Sequence, residues 1–154
     1  MKILLPEDVR ATWRRELRRA GRREIGGVLL GEAVAEATFR VLEISVQHAG
    51  GTTSRFVRDP EHHRQSIDAF FARTNHDYAR FNYLGEWHSH PSYPTRPSPD
   101  DVRAMEDILA DVDMGATFAC LMVVKLTLFR RLEIGSYLFA PGYAVVPLTV
   151  ERER

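Results

Sequence analysis

The stretch GEWHSHPSYPTRPSPDD, residues 85–101, determines how the middle of the chain is expected to fold. It continues an apolar run that begins at Asn82, and the segment NYLGEWHSH predicts a β-strand. Pro91 lacks an N–H and cannot extend a ladder of hydrogen bonds, so we expect the strand to end there and a proline-rich loop to follow. Ser98, with an acid three residues later, is typical of a helix start, and this helix is predicted to run to about Asp113.

Two histidines in this stretch are placed to share a metal ion. Side chains alternate along a strand, so His88 and His90 are predicted to project from the same face, about 7 Å apart at the backbone. The loop and the new helix can bring Asp101 back over the end of the strand. Two imidazoles and one carboxylate are a common ligand set of zinc in hydrolases, which leave the fourth position to water. Singly, the histidines could be ordinary strand residues and Asp101 an acid favoured by the helix dipole, but together they indicate a catalytic metal site.

Hydrophobic periodicity outside this stretch predicts a mixed α+β fold. Val9, Trp13 and Leu17 recur at a spacing of four and form the apolar stripe of a helix from Pro6 to about Ala20. A second helix is predicted from Asp59 to about Tyr78, and strands over 24–33, 38–47, 82–90, 116–124, 126–133, 135–140 and 143–150, with a hairpin near 32–36.

Several side chains outside the motif are predicted to be structural. Cys120 lies in the apolar run ATFACLMVV and is expected to be a buried thiol, because no base that could activate it is nearby in sequence. The histidines of the second helix would need ligands from elsewhere to bind zinc, so His62, His63 and His76 are expected at the surface. The predicted buried stripe of that helix is Ile67, Phe70, Phe71, Thr74 and Tyr78.

Composition argues against several classes of protein. Lysine plus arginine and aspartate plus glutamate number 21 each, so no net field favours nucleic acid or an anionic membrane as a partner. The arginine cluster on the first helix could bind an acidic partner, although a solvated helix face is the simpler interpretation. No apolar stretch reaches the length of a membrane span and the start does not resemble a signal peptide, so we expect a soluble, cytoplasmic protein. The length of 154 residues predicts one domain over 1–154.

The spacing of the motif residues resembles that of the JAMM, or MPN-type, family of zinc metallopeptidases. The family motif is HxH, seven residues, serine, two residues and aspartate, and this chain matches it at His88, His90, Ser98 and Asp101. The order of predicted elements also resembles the family's domain, a mixed sheet flanked by about three helices, over nearly the whole chain. The resemblance implies that His88, His90 and Asp101 bind one zinc ion per chain.

The resemblance also implies the catalytic residues. The family places a glutamate at the start of an upstream strand, and Glu24 in EIGGVLLG matches it. By resemblance Glu24 holds and deprotonates the zinc-bound water, and Ser98 helps to stabilise the oxyanion. Glu86 lies on the same predicted strand face as His88 and is a rival base, but many relatives carry an aromatic residue there, so we expect it at the polar rim or beside a ligand. Gly26–Gly27 could admit another backbone beside Glu24 or could serve tight sheet packing.

The family implies a substrate class, the C-terminal tail of a ubiquitin-like protein, cleaved from a lysine isopeptide or from a short extension. Such a tail would add to an exposed strand edge. The candidate walls of its groove are the loops His48–Asp59 and Ser92–Pro97. No long insertion follows Asp101, whereas the polyubiquitin-specific relatives carry one, and this favours a simpler tail processor.

Three other functions stay open on the sequence. The same chemistry could process the C-terminus of a sulfur-carrier protein and expose its Gly-Gly end. The chain could instead be a non-catalytic scaffold subunit, but such members usually lose motif residues, and all are present here. A nucleic-acid module would rest only on the arginine face of the first helix. The sequence does not separate the first of these from deconjugation, and it leaves the oligomeric state open.

Overall fold

Three helices and one mixed β-sheet of eight strands make up the computed structural model, which describes residues 1–154. The helices are α1 (Glu7–Ala20), α2 (Pro60–Arg73) and α3 (Pro99–Ala110). The strands are β1 (Lys2–Leu5), β2 (Gly26–Ala35), β3 (Thr38–Ile44), β4 (Phe81–Ser89), β5 (Ala119–Leu126), β6 (Leu132–Phe139), β7 (Val146–Pro147) and β8 (Thr149–Arg152). The predicted fold class, α+β with a mixed sheet and about three helices, is confirmed.

The two edges of the sheet meet in the C-terminal segment. The strand order is β7-β6-β5-β4-β2-β3-β1-β8, and only Leu148 separates β7 from β8. Val146 pairs with Leu138 of β6, and Thr149 pairs with Lys2 of β1. The segment thus crosses from one edge to the other, and neither edge is left as a long open strand, which would invite pairing with another chain.

One face of the sheet packs on α1. The rings of Trp13 and Trp87 meet edge to face with centroids 5.7 Å apart, and both side chains are fully buried. Val9 and Leu17 extend the same buried side of α1, as their spacing predicts. Burying each large side chain of this kind stabilises the fold by roughly 1.5 to 3 kcal/mol. The helix ends at Gly21, which has a left-handed φ of 63° and donates its N–H to the carbonyl of Leu17.

The opposite face of the sheet carries α2 and α3. Phe70 of α2 packs on β2, and Met105 and Ile108 of α3 pack on β5. Each of these helices has an N-cap residue whose side chain accepts hydrogen bonding from free backbone amides of the first turn. The N-cap residue is Asp59 for α2 and Ser98 for α3. These caps fix where each helix starts on the sheet.

A β-bulge interrupts the alternation of β4. The pairing with β2 skips Leu84, so this residue is extra in the ladder. Gly85 has a φ of 142°, and a Cβ there would lie 2.0 Å from the carbonyl oxygen of Cys120, so glycine is required. Cys120 is buried, as predicted, and burial raises the pKa of its thiol to about 12. The bulge lets Tyr83 and Glu86 share a face and hydrogen bond.

The C-terminal half differs from the predicted strands. The predicted strand over 126–133 is wrong, because these residues contain the turn that joins β5 to β6. The predicted strand over 143–150 is split at Leu148, and α3 ends at Ala110 rather than near Asp113. β1 was not predicted, since its partners β3 and β8 are distant in sequence. None of the helices is long and apolar enough to cross a membrane.

The predicted extent of the second helix is also wrong. The helix α2 stops at Arg73, and Asn75 and His76 have left-handed φ values of 53° and 54°. Tyr78 therefore lies beyond the helix and is more than half exposed, although its ring still contacts that of Phe71. His63, expected at the surface, is fully buried.

Candidate metal centre

The C-terminal end of β4 brings two imidazoles and a carboxylate together. Nε2 of His88 lies 3.0 Å from Nε2 of His90. The Asp101 carboxylate faces both rings, with Oδ1 3.4 Å from His88 Nε2 and Oδ2 3.6 Å from His90 Nε2. The structure therefore assembles the three side chains that the sequence predicted to share an ion.

The spacing of these atoms fits a tetrahedral zinc site. Ligand atoms at zinc distances of about 2.0 to 2.1 Å stand about 3.3 Å apart in a tetrahedron. The two Nε2 atoms are 3.0 Å apart, and Asp101 brings one carboxylate oxygen to 3.4 Å from His88 and the other to 3.6 Å from His90, all close to that value. His90 Nδ1 lies 2.9 Å from the carbonyl oxygen of Pro94, which can only accept, so Nδ1 carries the proton and the Nε2 lone pair is free. Burial lowers the pKa of His90 and so favours its neutral form.

Asp101 is held in place by the start of α3. Its Oδ2 accepts from the Ser98 N–H at 2.6 Å, and Ser98 Oγ accepts from the Asp101 N–H at 3.2 Å. Burial alone would raise the pKa of Asp101, but the hydrogen bonds and charge of His88 and the Ser98 contacts hold it at about 2. The carboxylate is thus ionised and oriented. Ser98 serves as helix cap, and its hydroxyl proton stays free for another acceptor.

Glu24 lies beside the histidines at the entrance to β2. Gly26, two residues further along the chain, pairs with His88. The Glu24 carboxyl is buried and accepts no hydrogen bond from the rest of the chain. Burial raises its pKa, and the charge of His88 opposes this increase. A buried carboxyl with a raised pKa beside a candidate metal centre is suited to accepting a proton.

The backbone around Glu24 is fixed from two sides. Ser89, the residue between the two histidines, accepts from the Ile25 N–H through Oγ at 2.9 Å and donates its own N–H to the Ile25 carbonyl at 2.8 Å. On the other side, the Glu24 N–H donates to the carbonyl of Thr52 at 2.7 Å. A Cβ on Gly51 would lie 1.8 Å from the Glu24 carbonyl oxygen, so the loop approaches as closely as glycine allows. These contacts join segments that are distant in sequence, so sequence patterns alone do not predict them.

Glu86 is buried. Of the two places expected for it, the polar rim is therefore wrong, and a place beside a ligand stays a prediction. Its Oε1 lies 2.6 Å from Arg58 Nε and accepts from the Tyr83 hydroxyl at 3.3 Å. Burial raises the pKa of Glu86, although the Arg58 charge opposes the increase. Because Glu86 is already paired with Arg58, it is less suited than Glu24 to act as a free base.

Packing explains two glycines and one histidine near the site. A Cβ on Gly26 would lie 2.6 Å from the Phe56 ring, and one on Gly27 would lie 1.9 Å from the Ser45 carbonyl oxygen. Both glycines are therefore required by the protein's own packing. His63 is buried because α2 docks over Ser45, whose Oγ lies 3.4 Å from His63 Nδ1. Burial lowers the pKa of His63 to about 4.

Comparison with known proteins identifies the family. The family model described as prokaryotic homologs of the JAB domain matches residues 6–134, a range that includes the candidate metal centre and Glu24. The chain is 31% identical over 116 residues to a CD-NTase/cGAS isopeptidase from Enterobacter hormaechei subsp. hoffmannii (strain UCI 50). That match covers 73% of this chain, and the chain spans 59% of the length of that relative.

A solved structure shows the same fold. The solution structure of protein DSY2949 from Desulfitobacterium hafniense superposes with a TM-score of 0.72 at 22% identity. The superposition covers 99% of this chain and 93% of the other.

Proposed function

This chain belongs to the family of prokaryotic homologs of the JAB domain, and from this premise we propose that it is a zinc-dependent isopeptidase whose metallopeptidase domain spans residues 1–154. The observation that carries the proposal is the convergence of two imidazole nitrogens and one carboxylate, with a buried carboxyl beside them. The relative named as an isopeptidase supports the reaction class.

In this proposal His88, His90 and Asp101 hold one zinc ion. When bound, zinc lowers the pKa of water and polarises the carbonyl of the bond to be cleaved. The ionised Asp101 supplies negative charge, and the Pro94 carbonyl keeps the His90 ring oriented. Each of these side chains comes from a rigid element or from its cap, so the donor set is formed before any ligand binds.

Glu24 is the proposed general base and acid. Its carboxyl makes no competing hydrogen bond within the chain, so it can take a proton from the attacking water and pass it to the leaving amine. The hydroxyl proton of Ser98 is free while its oxygen caps α3, and we assign it to donate to the oxyanion that forms at the carbonyl. The two roles use different atoms of Ser98 and are compatible.

The proposed substrate is a protein joined through the C-terminal tail of a ubiquitin-like protein. Both loops expected to form the walls do contact the site: Thr52 of the first loop binds the backbone of Glu24, and Pro94 of the second binds His90. In this proposal an extended tail of small residues lies between these two loops. The name of the Enterobacter relative favours, as the modified partner, a nucleotidyltransferase of the CD-NTase/cGAS class. Processing of a sulfur-carrier protein remains the second candidate.

A cleavage assay tests this proposal. Zinc-loaded protein is incubated with ubiquitin and with a bacterial sulfur-carrier protein, each carrying an amide-linked fluorophore after its terminal Gly-Gly. Release of the fluorophore that is lost with a chelator and restored by zinc supports a metallopeptidase. A short peptide with the same tail and fluorophore is the third substrate. If wild-type protein with zinc bound releases no fluorophore from either protein or from this peptide, the proposed function is wrong.

A further inference from the structure

The turn between β5 and β6 carries large apolar residues at positions where β-turns usually carry small or polar ones. Arg130 donates its N–H to the carbonyl of Thr127 at 2.8 Å, which closes a β-turn with Leu128 and Phe129 at its two central positions. These positions usually carry glycine, proline, asparagine, aspartate or serine. Here both are large and apolar, with exposed fractions of 99% for Leu128 and 86% for Phe129. Arg130 also has a left-handed φ of 56°, which favours glycine.

The turn lies at the same end of the sheet as the candidate metal centre. β5 runs parallel to β4, and Val124 is in register with Ser89, so the turn extends past the end of β4 where the histidines lie. Lys125 Nζ donates to the Tyr93 carbonyl at 3.3 Å, which ties the turn to the loop after the histidines. Tyr93 is half-exposed, and its ring centroid lies 6.3 Å from that of His90. Tyr93 and the turn therefore present exposed apolar side chains at the same end of the sheet as the candidate metal centre.

We propose that Leu128 and Phe129 form a docking contact for the folded body of the protein substrate, next to the point where its tail enters the metal centre. This inference rests on the proposed function and adds to it a second contact outside the cleft. Exposed apolar side chains beside a functional site mark protein interaction surfaces. Arg130 and Arg131 have no ion-pair partner within the chain, so the complementary surface is an apolar patch with carboxylates at its edge.

Exposure alone does not distinguish this surface; its position beside the candidate metal centre does. The most exposed large apolar residues elsewhere are Val112, at 90%, and Tyr143, at 81%. Both follow elements that end at the far side of the sheet, after α3 and after β6. They provide a control, because both are large and highly exposed but follow elements that end away from the metal centre.

The test compares folded and peptide substrates. The substrates are the ubiquitin and sulfur-carrier reporters described above and a five-residue peptide with the same tail and fluorophore. We expect wild type to cleave at least one folded reporter with a kcat/KM about tenfold or more above that of the peptide, as expected for an apolar docking contact. In the double variant Leu128→Ser/Phe129→Ser, kcat/KM for the folded reporter should fall to within about twofold of the value for the peptide. Cleavage of the peptide itself should not change. Val112→Ser/Tyr143→Ser should leave both rates as in wild type.

The outcomes separate this inference from the proposed function. If the peptide is cleaved but no folded reporter is favoured, or if the Leu128→Ser/Phe129→Ser variant keeps the full preference, the docking contact is wrong and the isopeptidase proposal stands. If zinc-loaded wild type cleaves no substrate, the proposed isopeptidase function and the docking contact are both wrong. A preference for the sulfur-carrier reporter over ubiquitin, lost in the same variant, supports the contact and assigns the sulfur-carrier class as its occupant.

Discussion

The hydroxyl of Ser89 accepts a hydrogen bond from the N–H of Ile25 at 2.9 Å, and this bond connects the strand of the histidines to the residue after Glu24. Ser89 points to the opposite face of β4 from His88 and His90, and its side chain is fully buried. One residue between two candidate ligands thus fixes the distance from the metal centre to the proposed base.

We predict that Ser89→Ala lowers kcat by roughly 10 to 100-fold with little change in KM, in the range observed when a residue that orients a ligand is lost. The variant leaves a buried N–H without a partner, at a cost of about 1 to 3 kcal/mol in stability. Zinc content, measured by elemental analysis, should remain at one ion per chain. Ser89→Thr keeps the hydroxyl and is the matched control. Equal losses in both variants would indicate a packing defect rather than a lost hydrogen bond.

Metal binding is predicted to require all three proposed ligands. His88→Ala and Asp101→Ala should each lose the zinc found in wild type, because two remaining ligands bind this ion weakly. Removal of zinc by a chelator should abolish activity and leave the far-ultraviolet circular dichroism unchanged, since the main core lies between α1 and the sheet. His76→Ala, at an exposed position, is the control. Full zinc content in His88→Ala would show that the site is elsewhere.

Two of the buried glutamates, Glu24 and Glu86, are predicted to differ in catalysis. Glu24→Gln keeps the size of the side chain but cannot accept the proton, so zinc should stay bound while turnover falls by roughly 10² to 10⁴. Glu86→Gln should cost about tenfold, because its carboxylate orients Arg58 and Tyr83 rather than touching the reacting atoms. Steady-state kinetics of both variants at equal zinc content decides between them. The reverse ranking would assign the base to Glu86.

The carboxylate of Glu32 is predicted to make stability depend on pH. It receives hydrogen bonds from Arg40 at 3.0 Å and Arg80 at 2.7 Å. Burial alone would raise the pKa of Glu32, but these bonds outweigh it and lower the pKa. The contribution is therefore complete above the unfolded-state pKa of about 4.3 and disappears as the pH falls through the lower folded-state value.

Glu32→Gln should reduce the free energy of unfolding at pH 7 by about 1 to 2 kcal/mol, a value discounted for the exposure of both arginines. Urea unfolding at pH 7 and pH 3 measures the effect, and the difference between wild type and variant should shrink at the lower pH. Glu36→Gln, at an exposed position without an ion-pair partner, should change neither value. A difference that is independent of pH would show that the charge of Glu32 is not responsible.

The local part of the site was predictable, because it depends on neighbours in sequence. Strand alternation puts His88 and His90 on one face, and the serine cap of α3 returns Asp101 to them; both were predicted and both are present in the structure. The helices were located by their caps and apolar periods. Their ends were predicted less well, as at Tyr78, because the turn after α2 depends on left-handed residues that periodicity does not reveal.

The sequence by itself determined the fold class, the ligand set of the candidate metal centre and, through family resemblance, the residue proposed as base. Only the tertiary structure decided which buried carboxyl is free and which is paired. Glu86 is paired with Arg58, which is distant in sequence, while the bulge at Leu84 brings Tyr83 to the same carboxylate. Electrostatic environment depends on what the folded chain places within a few ångströms of a charge. Spacing along one strand does not contain that information.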